Sequence, residues 1–137
     1  MAATSPPTNE PVIAPRSLRA LRGATTVARD ESAQLLAATR ELLAAMLERN
    51  ALDPSQIVSI IFTTTRDLTS ADPSPAARAL GWQRVPVLCM SEIAVPDGLP
   101  RCIRVLMHVD VPRDDQRTRP VYLRDATTLR PDLAARG

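Results

Sequence analysis

Lysine is missing from this 137-residue chain: all 17 basic residues are arginine. That bias reflects either an Ala/Arg/Pro-heavy, GC-rich genome or the carboxylate-binding role of a planar guanidinium, so only the placement of each arginine carries information. Aromatics are confined to Phe62, Trp82 and Tyr122, and a core must be built from Leu, Val, Ile and Ala. The single histidine, His108, has no cluster of cysteines or carboxylates around it in sequence, so no metal ligand set is expected. A Ser-His-Asp or Cys-His device would have to use His108, which sits mid-strand. Cys89 and Cys102 both fall in apolar strand-like runs, and no disulfide between them is expected. No apolar run approaches the roughly 20 residues of a membrane span. The N-terminus lacks the basic, apolar and small-residue order of a signal peptide, so a cytoplasmic protein with no membrane contact is expected. A net charge of +2, with no basic run interleaved with aromatics, gives no reason to expect nucleic acid.

What is present fits one soluble domain: 45% hydrophobic and 23% charged residues. Residues 1–16 hold four prolines and no apolar period, which predicts a disordered tail. Residues 17–133 form the expected domain and 134–137 a flexible end. Ser17–Arg22 reads as a short strand closed by Gly23-Ala24-Thr25-Thr26. Asp30 is the expected N-cap of a helix ending near Asn50. Its apolar stripe runs Leu35, Leu36, Thr39, Leu42, Leu43, Met46 and Leu47, with Gln34, Glu41 and Glu48 on the wet side. Asp53-Pro54-Ser55 turns the chain into residues 57–65, apolar on both faces as an interior strand is. Residues 67–81 read as a loop with a helical turn at 76–80 that carries Arg78. A strand over 85–90, a loop over 112–120 and a short strand at 121–123, returning near 126–129, follow; Arg130-Pro131-Asp132 ends the ordered chain.

The most informative stretch is 85–109. Ile103, Val105, Met107 and Val109 alternate with Cys102, Arg104, Leu106 and His108, so the two sets occupy opposite sheet faces. Arg104 is thereby planted on a half-buried face, where a charge needs a partner or a ligand. Glu92 closes the preceding strand and stands in reach of it. Spacing alone leaves two readings open, a structural ion pair or part of an anion site. Arg22, Tyr122, Cys89, Arg78 and Arg130 likewise read as ordinary surface or packing residues when each is taken singly.

About five strands and one long helix predict an α+β fold, a mixed five-stranded sheet packed on that helix. One helix covers one face of such a sheet, and the face bearing Arg104 and Leu106 needs another cover. The expected cover is another copy of the chain, with a ligand site at the subunit boundary.

Motifs sharpen this. Residues 18–27, LRALRGATTV, resemble the opening RGATTV-type motif of the monofunctional, trimeric chorismate mutases of bacteria. VPVLCMSE at 85–92, CIRV at 102–105, VYL at 121–123 and LRPDL at 129–133 follow in that family's order. The resemblance implies a homotrimer with a barrel-like sheet core (chorismate mutase-like, related to ferredoxin-like folds) and three sites between neighbouring chains. It implies rearrangement of chorismate to prephenate, in phenylalanine and tyrosine biosynthesis, without a cofactor. By resemblance Arg104 donates to the ether oxygen, Glu92 and Cys89 meet the ring hydroxyl, and Arg22 and Tyr122 meet a carboxylate. Arg78 comes from the loop and helix side, Ser74 lies on the same loop, and Arg130 lies near the C-terminal cover. Cys89 and Glu92 have opposite strand parity, so the strand must end or twist between them for both to face one ligand. The loop departs from the family at Asp72-Pro73, where an aromatic or apolar residue commonly precedes the proline, and at Pro75, where relatives can carry lysine. A non-catalytic oligomeric module binding an anionic aromatic-pathway metabolite is the alternative. A keto-acid imine or enamine enzyme of similar trimeric build stands behind it.

Overall fold

The computed structural model describes residues 15–114 and 118–134. It opens on strand β1 (Arg16–Thr26), which runs on through the segment expected to end it. Gly23-Ala24-Thr25-Thr26 pair with Val105-Arg104-Ile103-Cys102, so backbone hydrogen bonding overrides the turn-like composition. Gly23 serves close packing here rather than a turn. A Cβ at this position would lie 2.5 Å from Met46 Sδ, so the bare backbone lets the helix approach the strand. Of the expected tail, residues 1–14 lie outside the described residues. Arg16 belongs to β1 and donates to Asp110 on the neighbouring strand at 3.3 Å.

Helix α1 (Ser32–Arg49) follows, its stripe of Leu35, Ala38, Thr39, Leu42, Leu43, Met46 and Leu47 buried as the 3.6-residue period requires. Asp30 does not cap it. Glu31 holds the N-cap position without a side-chain bond, and Asp30 instead accepts from Thr69 N, Thr69 Oγ1 and Ser70 N at 2.9–3.1 Å. Three donors from one loop outcompete a single helix-end N–H. At the other end, buried Asn50 donates to Met46 O and Arg119 O and accepts from Arg119 N, clamping the helix to the chain that leads into the last strand.

A turn capped by Asp53 leads to β2 (Ile57–Thr64); helix α2 (Pro75–Ala79) then precedes β3 (Val87–Ser91), β4 (Cys102–Pro112) and β5 (Val121–Tyr122). The sheet order is β3-β2-β4-β1-β5. β4 is antiparallel to β1 and β2, whereas β2–β3 and β1–β5 are parallel, so the sheet is mixed as expected. The expected return strand near 126–129 is a 3-10 turn (Arg124–Thr128) instead. Arg124 takes φ 55°, which swings the chain off the sheet, and the Thr127 and Thr128 hydroxyls bond back to the carbonyls of Arg124 and Asp125. The chain does not stop at Asp132 but continues as a short helix, α3 (Pro131–Ala134).

One sheet face carries Leu21, Ile60, Phe62, Val105, Met107 and Val121 and packs on α1 and the buried Ala76 and Ala77 of α2. Away from Ala24 and Tyr122, the other face has no cover among the described residues: Leu18, Leu88, Met90 and Leu106 are all exposed on it, Leu18 at 63% and Leu88 at 57%.

Candidate functional site

Register builds the site. Tyr122 pairs with Ala24, Ala24 with Arg104, Arg104 with Thr63, and Thr63 with Met90, forming one row across all five strands on the uncovered face. The next row on that face is Arg22, Leu106, Ile61 and Leu88. Directly opposite residues share a face in both parallel and antiparallel pairings, so Arg22, Arg104 and Tyr122 are neighbours although far apart in sequence.

Glu92 lies one position beyond Met90 on that face, just past the end of β3. Its N–H donates to Thr64 O at 2.9 Å, which continues the strand's alternation and turns the carboxylate to the uncovered face beside Met90. There Glu92 Oε1 receives Arg104 Nε at 2.8 Å and Thr63 Oγ1 at 3.2 Å. The carboxylate is largely buried, with its side chain 17% exposed, while the Arg104 side chain is 49% exposed. Glu92 therefore pins one edge of the guanidinium, and the half-exposed side chain keeps donors toward solvent. The two form an ion pair, and its arginine also lines a cavity.

That cavity, of about 630 Å³, is bounded by Arg22, Arg104, Tyr122, Leu129 and Arg130. Arg130 reaches it because the 3-10 turn and α3 fold over β1 and β5. Ala126, Leu129, Leu133 and Ala134 pack with Ala24 and Tyr122. Its guanidinium is held by Asp132 through Nε–Oδ1 at 3.2 Å and Nη2–Oδ2 at 3.0 Å. The same pairing pushes Arg130 further up from its ordinary value and holds Asp132 below its own. Arg22 makes no hydrogen bond or ion pair to another described residue. Three guanidiniums thus surround an open cavity, two braced by carboxylates and one free, an arrangement that suits a small ligand with more than one negative charge.

The chorismate mutase type I family model matches residues 18–133. Chorismate mutase AroH of Thermus thermophilus is 50% identical over 119 residues, covering 85% of this chain and 96% of that protein. The AroH chorismate mutase of Bacillus subtilis (strain 168) is 46% identical over 120 residues, covering 85% and 93%. A solved chorismate mutase from Clostridium thermocellum superposes with a TM-score of 0.78 at 45% identity, over 80% of this chain and 98% of that one.

The chain belongs to the type I chorismate mutase family.

In this chorismate mutase chain the remaining expected residues do not join the cavity. Cys89 pairs with Phe62 and packs toward α1, so it lies on the face opposite Glu92 and Arg104. No twist intervenes at the end of β3, and the alternation that separates Cys89 from Glu92 holds. Burial, with the carboxylate of Asp72 beside it, pushes the Cys89 thiol up to about 11. Ser74 and Arg78 stand on this side too. Ser74 precedes α2 and is bonded to Asp72, and Arg78 sits exposed on α2 close enough to Asp72 to lower its carboxyl. The expected residues therefore fall into two groups within one chain: Arg22, Arg104, Tyr122 and Arg130 lining the cavity with Glu92 behind Arg104 on the same face, and Ser74, Arg78 and Cys89 at the β3 edge on the helix side.

Sequence reasoning overlooked Thr63, which holds Glu92, and Arg66, whose Nε donates to Glu92 O at 3.3 Å. The period-two pattern of β2 put Thr63 on the same face as Ile61, but only the register with β4 sets it against Arg104.

Proposed function

We infer that the protein is a chorismate mutase, an isomerase that rearranges chorismate to prephenate in the phenylalanine and tyrosine pathway. The observation that carries this reading is Arg104, pinned by Glu92 at 2.8 Å with donors left over, in a cavity ringed by Arg22 and Arg130 in a chain of this family. The step is an intramolecular [3,3] shift that moves no proton. It needs a folded substrate conformer and positive charge where the breaking C–O bond leaves negative charge on the ether oxygen. The free edge of Arg104 supplies that charge. It is always ionised and already fixed by Glu92, so no reorganisation accompanies the charge that grows in the transition state. Glu92 also meets the ring hydroxyl, Arg22 and Tyr122 take one carboxylate, and Arg130 closes the site from the turn just before α3.

Cys89, Ser74 and Arg78 act on the same ligand from a neighbouring chain. The division of the residues between two faces supports this, because no single chain presents both groups to one molecule. The uncovered apolar face and the edge position of β3 favour the same assembly, a homotrimer in which sheets cover one another and each site lies between two chains. We assign the enzyme to the cytoplasm, in keeping with two free thiols. Among the described residues no helix is long and apolar enough to cross a membrane.

The test is the loss of chorismate absorbance on adding purified protein, with prephenate identified by acid conversion to phenylpyruvate. Sedimentation of the same sample gives the assembly. Rapid protein-dependent conversion by a trimer is the expected result. A folded trimer that binds chorismate without converting it would replace this reading with that of a binding module.

A further inference from the structure

The helix-side group contains one residue that no role above absorbs. Asp72 lies between Cys89 and Arg78 at the β3 edge, and it is an acid in a place proposed to face a dianion. Its carboxylate is not free to swing away. Oδ1 accepts from Ser74 N at 2.8 Å and Oδ2 from Ser74 Oγ at 2.7 Å, so both oxygens are anchored to the turn that starts α2. Burial pushes the carboxyl up, but the Ser74 donors, the Cys89 thiol and Arg78 more than offset it and hold it below its usual range. The charge is therefore present throughout the neutral range, fixed in position beside the one arginine of this group.

We propose that Asp72 sets the affinity for the dianionic substrate by cancelling part of the field of Arg78. This rests on the proposed function and on the second group facing the ligand of a neighbouring chain. The carboxylates of chorismate persist through the rearrangement, so the repulsion acts on ground state and transition state alike. It raises KM and leaves kcat unchanged. A like-charge contact at about 4 Å in water-like surroundings corresponds to roughly fivefold in binding.

Asp72→Asn tests this, because the amide keeps an acceptor for Ser74 N–H and removes the charge. Its KM is expected to be about fivefold below that of the unaltered enzyme at low ionic strength, with kcat within about twofold. The ratio of the two KM values should close toward one as salt is raised to about 1 M, where screening is nearly complete. A role confined to holding the turn would raise KM or lower kcat and would not respond to salt in this way. Asp72→Ser provides the same neutral change if the asparagine variant does not fold. An unchanged or higher KM in a folded variant, with the unaltered enzyme converting chorismate, overturns this inference alone. Failure of the unaltered enzyme to convert chorismate overturns the proposed function, and the inference with it.

Discussion

Replacing Arg104 by alanine removes one guanidinium whose structural and chemical contributions differ in size. Its side chain is 49% exposed, so the ion pair is open to solvent on the arginine side although Glu92 is largely buried, and with Thr63 still donating to the carboxylate it contributes about 1 kcal/mol to stability. Each donor aimed at charge that develops in the transition state is a larger matter, about 2.7–4 kcal/mol or roughly 10²–10³ in kcat. The two estimates separate the roles. Arg104→Ala should lose at least about 10²-fold in kcat, and as much in kcat/KM, while urea unfolding shifts by about 1 kcal/mol or less. Arg104→Lys should be nearly as impaired, because a single ammonium cannot span from Glu92 to a second acceptor as the guanidinium fork does. The assay is continuous loss of chorismate absorbance beside a denaturant titration of the same preparation. An alanine variant that keeps more than about a tenth of its turnover would refute Arg104 as the donor. One that loses several kcal/mol of stability would mean that the pair is structural first.

Other consequences concern the frame that holds this site. Gly23→Ala should cost about 1–3 kcal/mol, since the new methyl must displace Met46 Sδ from 2.5 Å and meets Leu42 Cδ1 at 3.3 Å. Combined with Met46→Ala, the loss should be less than the sum of the two singles, read by chemical denaturation. Asp30 is lowered to about 2 by hydrogen bonds from Ser70 and Thr69, below the ordinary 3.8. A carboxyl depressed on folding stabilises above its unfolded value and loses that contribution as pH falls through its folded value. Asp30→Asn should therefore melt lower than the unaltered protein at pH 7, with the gap closing between about pH 4 and 2; a gap independent of pH would refute this anchoring role. Burial, foremost, pushes both the Cys89 and Cys102 thiols up to about 11. Iodoacetamide at pH 8 should then leave the native protein almost unlabelled and modify both cysteines in urea, and rapid labelling of the folded chain would contradict it.

Local periodicity carried the elements in this chain. The 3.6-residue stripe from Leu35 to Leu47 and the alternation from Cys102 to Val109 are properties of single segments, and each survives into the structure because burial rewards it. The same alternation already put Cys89 and Glu92 on opposite faces, and the order of short motifs pointed to the family. What depended on partners distant in sequence could not be read this way. Whether Gly23-Ala24-Thr25-Thr26 ends a strand or continues it is decided by β4 and β5, and whether Asp30 caps a helix by donors at Thr69 and Ser70. The row Tyr122, Ala24, Arg104, Thr63 is a matter of register, in which a slip of one residue would send every member to the other face. Sequence by itself determined which side chains share a strand face or a helix stripe, because that follows from the geometry of one segment. Tertiary structure alone decided which segments meet, and so divided the expected site into two groups on opposite sides of one sheet.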